Sequence, residues 1–387
     1  MKRKYFSLLI VALLVSLCLL TFCSCNHEDG IIDPPTLEHY SQREHIGWSN
    51  SVKNFETKKY ADYYVSGSPS FIIPGLNKGE NFVLQGIEYC SELNWALLCG
   101  YVSPKTSVSN SVIFVMDMSK PVSFANGKQF YGALIKEILL NKADGKPFTG
   151  HAGGIAVSEK NVWISNGGGL YCISLADIVS APATTYINLS KPIPVPVGAA
   201  YCSYADGVLW VGEFEYAKDK YITDETHHKD KLTAWTVGYK LNEDSNANSP
   251  KDLFKFASDD SVAIPDYVLW HGSKVQGMAP VGNKILLSTS YGRKNDSNLC
   301  IYNNPLDSTT DTFVQIGGAQ VPCYVLDNPT KTVLAPPMLE DLGTVYKDGK
   351  YSVLVATESG SYHYHGANAF SKSKNASDFI WEYVVEQ

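Results

Sequence analysis

Arginine is almost missing from this chain of 387 residues, which has only Arg3, Arg43 and Arg293. Charged residues of either sign make up 18%, and the formal net charge is -7. That balance excludes a nucleic-acid binder held by a basic surface. The nine cysteines show no CxxC or other metal-ligand spacing. Nucleophile elbows, Walker loops and zinc signatures are absent as well. Gly167-Gly168-Gly169 is not followed by a helical pattern, so it reads as a turn and not as a phosphate cradle. Long helical periodicity is also missing. What is present is 44% hydrophobic and 12% aromatic residues, with 24 tyrosines, enough to bury a core and to exclude wholesale disorder.

The amino terminus carries an address. Lys2, Arg3 and Lys4 precede an almost wholly apolar stretch over residues 5–22, the pattern of an export signal. Phe22-Cys23-Ser24-Cys25 resembles a lipobox, in which small Ser24 precedes the lipidated Cys25. A plain secreted protein and an uncleaved anchor are the alternatives. Residues 1–24 are thus expected to be a lipoprotein signal peptide, 25–45 a tether and 46–387 one domain. Asn26-His27-Glu28-Asp29 resembles the surface-export signal of Bacteroidetes lipoproteins. The expectation is a cell-envelope protein anchored in the outer membrane by lipid alone, facing outward, and monomeric. The six cysteines beyond the anchor sit in apolar runs and are expected as buried thiols, with one or two disulfides left open.

Short β-rich runs punctuated by Gly, Asn, Asp and Pro fill the remainder, and one unit recurs. A polar residue leads into an apolar strand, then a polar turn, then a stronger apolar strand. The copies begin at Gln85-Gly86-Ile87, His151 through Gly154-Ile155-Ala156, Ala200-Tyr201-Cys202, Gln276-Gly277-Met278 and Glu340-Asp341-Leu342. Third strands are expected at 111–115, 169–173, 234–239, 299–302 and 361–365, and fourth strands at 135–140, 185–189 and 379–385. Four strands per unit, repeated radially, predict an all-β fold, a β-propeller of five four-stranded blades. Six blades result if residues 46–80 form a degenerate one. A β-sandwich, or two stacked β domains, is the competing architecture.

In a propeller the start of each innermost strand and the end of the second strand converge on one mouth of the channel. The expected mouth residues are Gln85, His151, Gln276, Glu340 and Asp341 from the starts. From the ends come Tyr101, Asn166, Glu213, Tyr291, Arg293 and Glu358. Carboxylates at the ends of apolar strands need partners, since unpaired burial costs several kcal/mol. Arg293, a planar bidentate donor in a chain that otherwise uses lysine, is expected to contact Glu213 or Glu358 directly or through one water. Each residue also has a structural reading: an ion-pair ring for Glu213, Glu358 and Arg293, a turn cap for His151, and blade-to-blade bonds for Gln85 and Gln276. The His227-His228 pair and the His363/His365 alternation are weaker candidates for metal, because neither has the right geometry together with a fixed carboxylate.

Gly150-His151-Ala152-Gly153-Gly154-Ile155-Ala156-Val157 resembles a signature of secreted bacterial β-propeller lipoproteins. So do Trp210-Val211-Gly212-Glu213-Phe214, Val275-Gln276-Gly277-Met278, Ser288 to Arg293, and Glu358-Ser359-Gly360. The resemblance brings no assigned reaction. More distantly the chain is similar to SMP-30 and gluconolactonase propellers, which implies a divalent cation such as calcium in the channel. It departs from them in placing Gln85 and Gln276 where acidic or asparagine ligands would stand. Two functions follow. One is binding of a small molecule, glycan or protein partner at the mouth. The other is a hydrolase or lyase acting there on an extracellular sugar or ester. In the second, His151, Glu213, Arg293 and Glu358 are the candidate catalytic groups.

Overall fold

The computed structural model describes residues 40–42, 67–77, 79–103, 110–123, 129–243, 249–365, 373 and 376–387. The signal peptide, Cys25 and most of the expected tether lie outside the described residues. Tyr40 to Gln387 forms one compact unit.

Strand β1 (Gly67–Ile72) comes first in the chain and takes its place last. Blade 1 is β2 (Phe82–Cys90), β3 (Trp95–Val102), β4 (Val112–Ser123) and β5 (Gln129–Asn141). Blade 2 is β6 (Gly154–Val157), β7 (Asn161–Asn166) and β8 (Gly169–Ser174), closed by the short β10 (Ile193–Pro194). Between β8 and β10 run the helix α1 (Leu175–Ser180) and β9 (Thr184–Asn188). Blade 3 is β11 (Tyr201–Ala205), β12 (Val208–Gly212), β13 (Ala234–Lys240) and β16 (Tyr267–His271), with the hairpin β14 (Lys255–Phe256) and β15 (Ala263–Ile264) inserted. Blade 4 is β17 (Val275–Val281), β18 (Lys284–Thr289), β19 (Ser297–Asn303) and β22 (Lys331–Ala335). Its excursion, β20 (Phe313–Ile316) and β21 (Ala319–Leu326), pairs in parallel with β16 and widens blade 3. Blade 5 is β23 (Leu339–Lys347), β24 (Lys350–Thr357) and β25 (Phe379–Val385), completed by β1.

The innermost strands β2, β6, β11, β17 and β23 touch in that order, and β23 returns to β2, so five blades close a ring. Residues 67–72 are the outer strand of the fifth blade, not part of a sixth. Adding the amino-terminal strand to the last blade covers the edge of β25, which would otherwise present unpaired backbone groups.

Five apolar cores lie between neighbouring blades. Leu97 and Val115 meet Ile155 and Ile164, and Trp163 meets Val211 and Trp235. Trp210 and Leu269 pack on Met278 and Leu287, and Leu286 and Leu299 on Val353 and Trp381. Leu354 and Ile380 return to Leu98 and Phe114. Each blade is thus buried on both faces, which is why its strands read as continuous apolar runs and not as alternation. Each such side chain contributes about 1.5–3 kcal/mol. Cys90, Cys99, Cys172, Cys202, Cys300 and Cys323 are free thiols, all but Cys300 buried.

Three strand expectations are corrected. Residues 361–365 are not a strand: Ser361 N and Tyr364 N close local turns on the carbonyls of Glu358 and Ser361, and α2 (Tyr362–His365) follows. The Tyr-His-Tyr-His alternation imitates a strand there, and residues 379–385 supply the third strand, not the fourth. Residues 184–188 join blade 1, pairing in parallel with β5, not blade 2.

Candidate functional site

β-Bulges place the polar groups at the mouth. In β2 the register shifts between Leu84 and Gly86, so Gln85 is the extra residue. The same happens at Gln276 in β17, and at Glu340 and Asp341 in β23. A bulge re-aims a side chain that regular pleating would direct elsewhere. The glycines after the two glutamines have a packing reason. A Cβ on Gly86 would stand 2.7 Å from Ile155 N, and one on Gly277 2.5 Å from Asp341 Cα. The innermost strands approach too closely there for side chains.

Gln85, Gln276 and Glu340 line a cavity of about 920 Å³ together with Tyr101, His151, Asn166, Tyr291, Arg293 and Glu358. Every blade contributes to its wall. Asn166 is held by local geometry: Gly167 and Gly168, with φ of 57° and 80°, make the tight turn between β7 and β8. Its Oδ1 accepts from His151 N at 2.6 Å and from Ala152 N at 3.3 Å, tying the entry of blade 2 to its second strand. The His151 ring packs at a tilt of 31° against Tyr101, with centroids 4.5 Å apart.

The floor is acidic. Gln85 Nε2 donates to Glu358 Oε2 at 2.9 Å and to its neighbour's carbonyl, Leu84 O, at 2.8 Å. Gln276 Nε2 makes a long contact of 3.4 Å with Glu340 Oε1. Glu340 is 5% exposed; burial, then the charges of Glu358 and Asp341, push its pKa well above the usual carboxylate range. Glu358 keeps some surface open to the cavity, yet burial pushes its pKa up to about 7, opposed by hydrogen bonds from Gln85 and Tyr364 and by the Arg293 charge. The Arg293 guanidinium lies 4.6 Å above the Tyr364 ring, a cation–π contact. Tyr364 and Tyr101 join through their hydroxyls at 3.2 Å. Beneath Glu340, Asp341 is fully buried, and neither of its oxygens makes a well-formed hydrogen bond, although the amides of Leu342, Ile155 and Ile87 face it.

Besides the buried Asp341, Glu213 is the expected mouth residue that does not line the main cavity. It follows the last residue of β12, and alternation turns Phe214, not Glu213, to the main cavity. Glu213 is 3% exposed and accepts from His227 Nδ1 at 2.6 Å, Trp235 N at 2.9 Å and Gly198 N at 3.3 Å. His227 stacks on Trp235 at 3.6 Å. Both acidic and imidazole groups border a smaller cavity of about 390 Å³. Of the two expected partners of Arg293, Glu358 is the one whose pKa its charge lowers.

The cavity also takes residues that sequence reasoning did not name. Tyr364 comes from the helical turn mistaken for a strand, and Phe214 and Tyr221 from the excursion between β12 and β13. The serines around Tyr364 in Ser359-Gly360-Ser361 were the available turn signal. Among the described residues no group of three or more His, Cys, Asp or Glu is arranged to hold a metal ion. The two glutamines turn their amide nitrogens to the glutamates, which suits hydrogen bonding more than coordination.

No protein-family model and no curated protein matches the chain. Among solved structures it is similar to Kuenenia stuttgartiensis hydrazine synthase at 8% identity, covering 70% of this chain and 55% of that one, with a TM-score of 0.31. It is also similar to a Staphylococcus aureus phage tail fiber at 11% identity, 87% and 54% coverage and a TM-score of 0.38. Myxococcus xanthus glutaminyl cyclase gives 9% identity, 83% and 95% coverage and a TM-score of 0.34. The chain spans about half the length of the first two. Likeness this remote assigns no activity, and the resemblance read from the sequence patches stands only as far as the propeller.

Proposed function

We propose that this is a lipid-anchored cell-envelope protein whose propeller mouth binds a small polar ligand of the carbohydrate class. The observation that carries the reading is the cavity of about 920 Å³ to which all five blades send aromatic rings and hydrogen-bonding groups. Carboxylates and amides accept and donate to hydroxyls, and Tyr101, Tyr291 and Tyr364 add aromatic surface to the wall against which the apolar side of a sugar ring can pack. Calorimetric titration of the full chain with mono- and oligosaccharides tests it. Tyr101→Ala should weaken any sugar bound there roughly fivefold, by about 1 kcal/mol. Unchanged affinity in that variant, or no saccharide binding at all, overturns the reading.

The hydrolase or lyase alternative draws on the same floor. Glu358 is surrounded by Gln85, Tyr364 and Arg293, which favour its anion, whereas Glu340 has neighbouring carboxylates. Two acids in unlike surroundings are the basis of an acid–base pair. Product analysis in the same titrations separates the two readings.

Anchoring rests on the basic start, the apolar stretch and Ser24-Cys25. Cys25→Ala should lose incorporation of a palmitate analogue in cells; retained label places the anchor elsewhere.

A further inference from the structure

The main cavity ends in a floor with more acid than base. Glu340 and Glu358 stand there together, Asp341 lies below them, and Glu88 follows further along the channel. Two cationic side chains line the cavity: Arg293, laid on Tyr364, and Lys294, exposed at the rim. Glu340 is 5% exposed; among the described residues its carboxylate meets Gln276 Nε2 at 3.4 Å, and its backbone carbonyl accepts from Ser288 Oγ at 2.6 Å. Neighbouring buried carboxyls cannot both stay ionised without counter-charge, and Arg293 supplies one on the side of Glu358. Glu340 is left to hold a proton or to meet a second cation.

We propose that the cavity takes a sugar bearing a primary amine, whose ammonium sits by Glu340 and Glu358 as their second counter-charge. This rests on the carbohydrate reading of the same cavity and narrows it. An ammonium brings three donors to a floor whose open positions are carboxylate oxygens, whereas a hydroxyl brings one. The charged and titratable groups that face the pair are Arg293 from the loop after β18, Tyr101 from β3, Tyr364 from α2 and Asp341 from β23. His151 reaches it through Tyr101, and His363 lies within the field of Arg293.

Because the ammonium replaces a proton, binding and proton release are linked. The test is calorimetry on the full chain with glucosamine, 6-amino-6-deoxyglucose and glucose at pH 6.5, in two buffers of different ionisation enthalpy. At least one amine should bind about tenfold or more tightly than glucose, the factor expected of a charge-assisted bond. It should release a measurable fraction of a proton, and its affinity should rise from pH 5.5 to 7. Glu340→Gln should bring the affinity for the amine down to that for glucose in the same variant and abolish the proton release, and Glu358→Gln provides a second variant should the first fail to fold. Equal affinity for glucose and the amines, or a preference that persists in both variants, overturns the proposal and leaves the carbohydrate reading standing. If none of the three sugars binds, the amine proposal is overturned, and the wider saccharide titration decides the carbohydrate reading.

Discussion

Glu213 and Phe214 are adjacent, and both border the smaller cavity, yet only Phe214 reaches the main one. Position along the chain told which mouth they approach; the direction of each side chain depends on how the strand end is held, and that depends on His227, fourteen residues away. His227 looked like part of a polar excursion, yet it is 5% exposed, bonded to Glu213 and stacked on Trp235. Its backbone carbonyl also accepts from Trp270 Nε1 at 2.7 Å, so it fastens the excursion to blade 3. Breaking a buried pair by removing one partner costs more than the pair itself gains. Two backbone amides would still serve Glu213 in His227→Ala, which moderates the loss. The expected destabilisation is about 2–3 kcal/mol, read from the urea midpoint. A change below about 0.5 kcal/mol, the level of an ordinary surface substitution, would mean the excursion is held by other contacts.

Among the elements, those with strong local patterns were legible and those set by distant pairing were not. The first two strands of every blade follow from apolar runs around polar turns, and the bulged Gln85, Gln276 and Glu340 stood out as polar residues opening those runs. Nothing local to β1 tells that it pairs with β25, more than three hundred residues later. The same holds for β9 on β5 and β21 on β16, where the partner belongs to another repeat. The site shows the same division. Gln85, His151, Asn166, Gln276, Tyr291, Arg293, Glu340 and Glu358 could be named from their place in the repeat. Tyr364 could not, because a run of alternating aromatic and polar residues satisfies a strand pattern while serine-bracketed turns decide its conformation.

Across the whole molecule, ring closure gathers acids from different blades onto one axis, and this gives stability an unusual dependence on pH. Glu88 is 4% exposed; burial pushes its pKa up to about 8 against hydrogen bonds from the amides of Tyr89, Tyr204 and Thr344. Asp341, Glu340 and Glu358 are shifted in the same direction. A carboxyl whose folded pKa is raised holds its proton longer in the folded chain than in the unfolded one. Below pH 4.5, the ordinary value, both states are protonated and no penalty exists; from there to about 8 the unfolded chain ionises first and the folded state loses ground. Carboxylates with lowered values, such as Asp144, Asp224 and Asp259, are exposed and act below this range. Buried His271, whose pKa burial lowers from 6.5, opposes the trend up to that pH. The unfolding free energy should therefore fall as pH rises from 5 to 8. Glu88→Gln removes one of the titrating groups and keeps an acceptor for the facing amides. It should make the protein more stable than the parent at pH 8, by about 2–4 kcal/mol, and nearly equal to it at pH 4.5. Urea unfolding at both pH values measures the difference. A variant that is destabilised equally at the two would show that Glu88 acts through packing and hydrogen bonds alone, with no proton held at the channel.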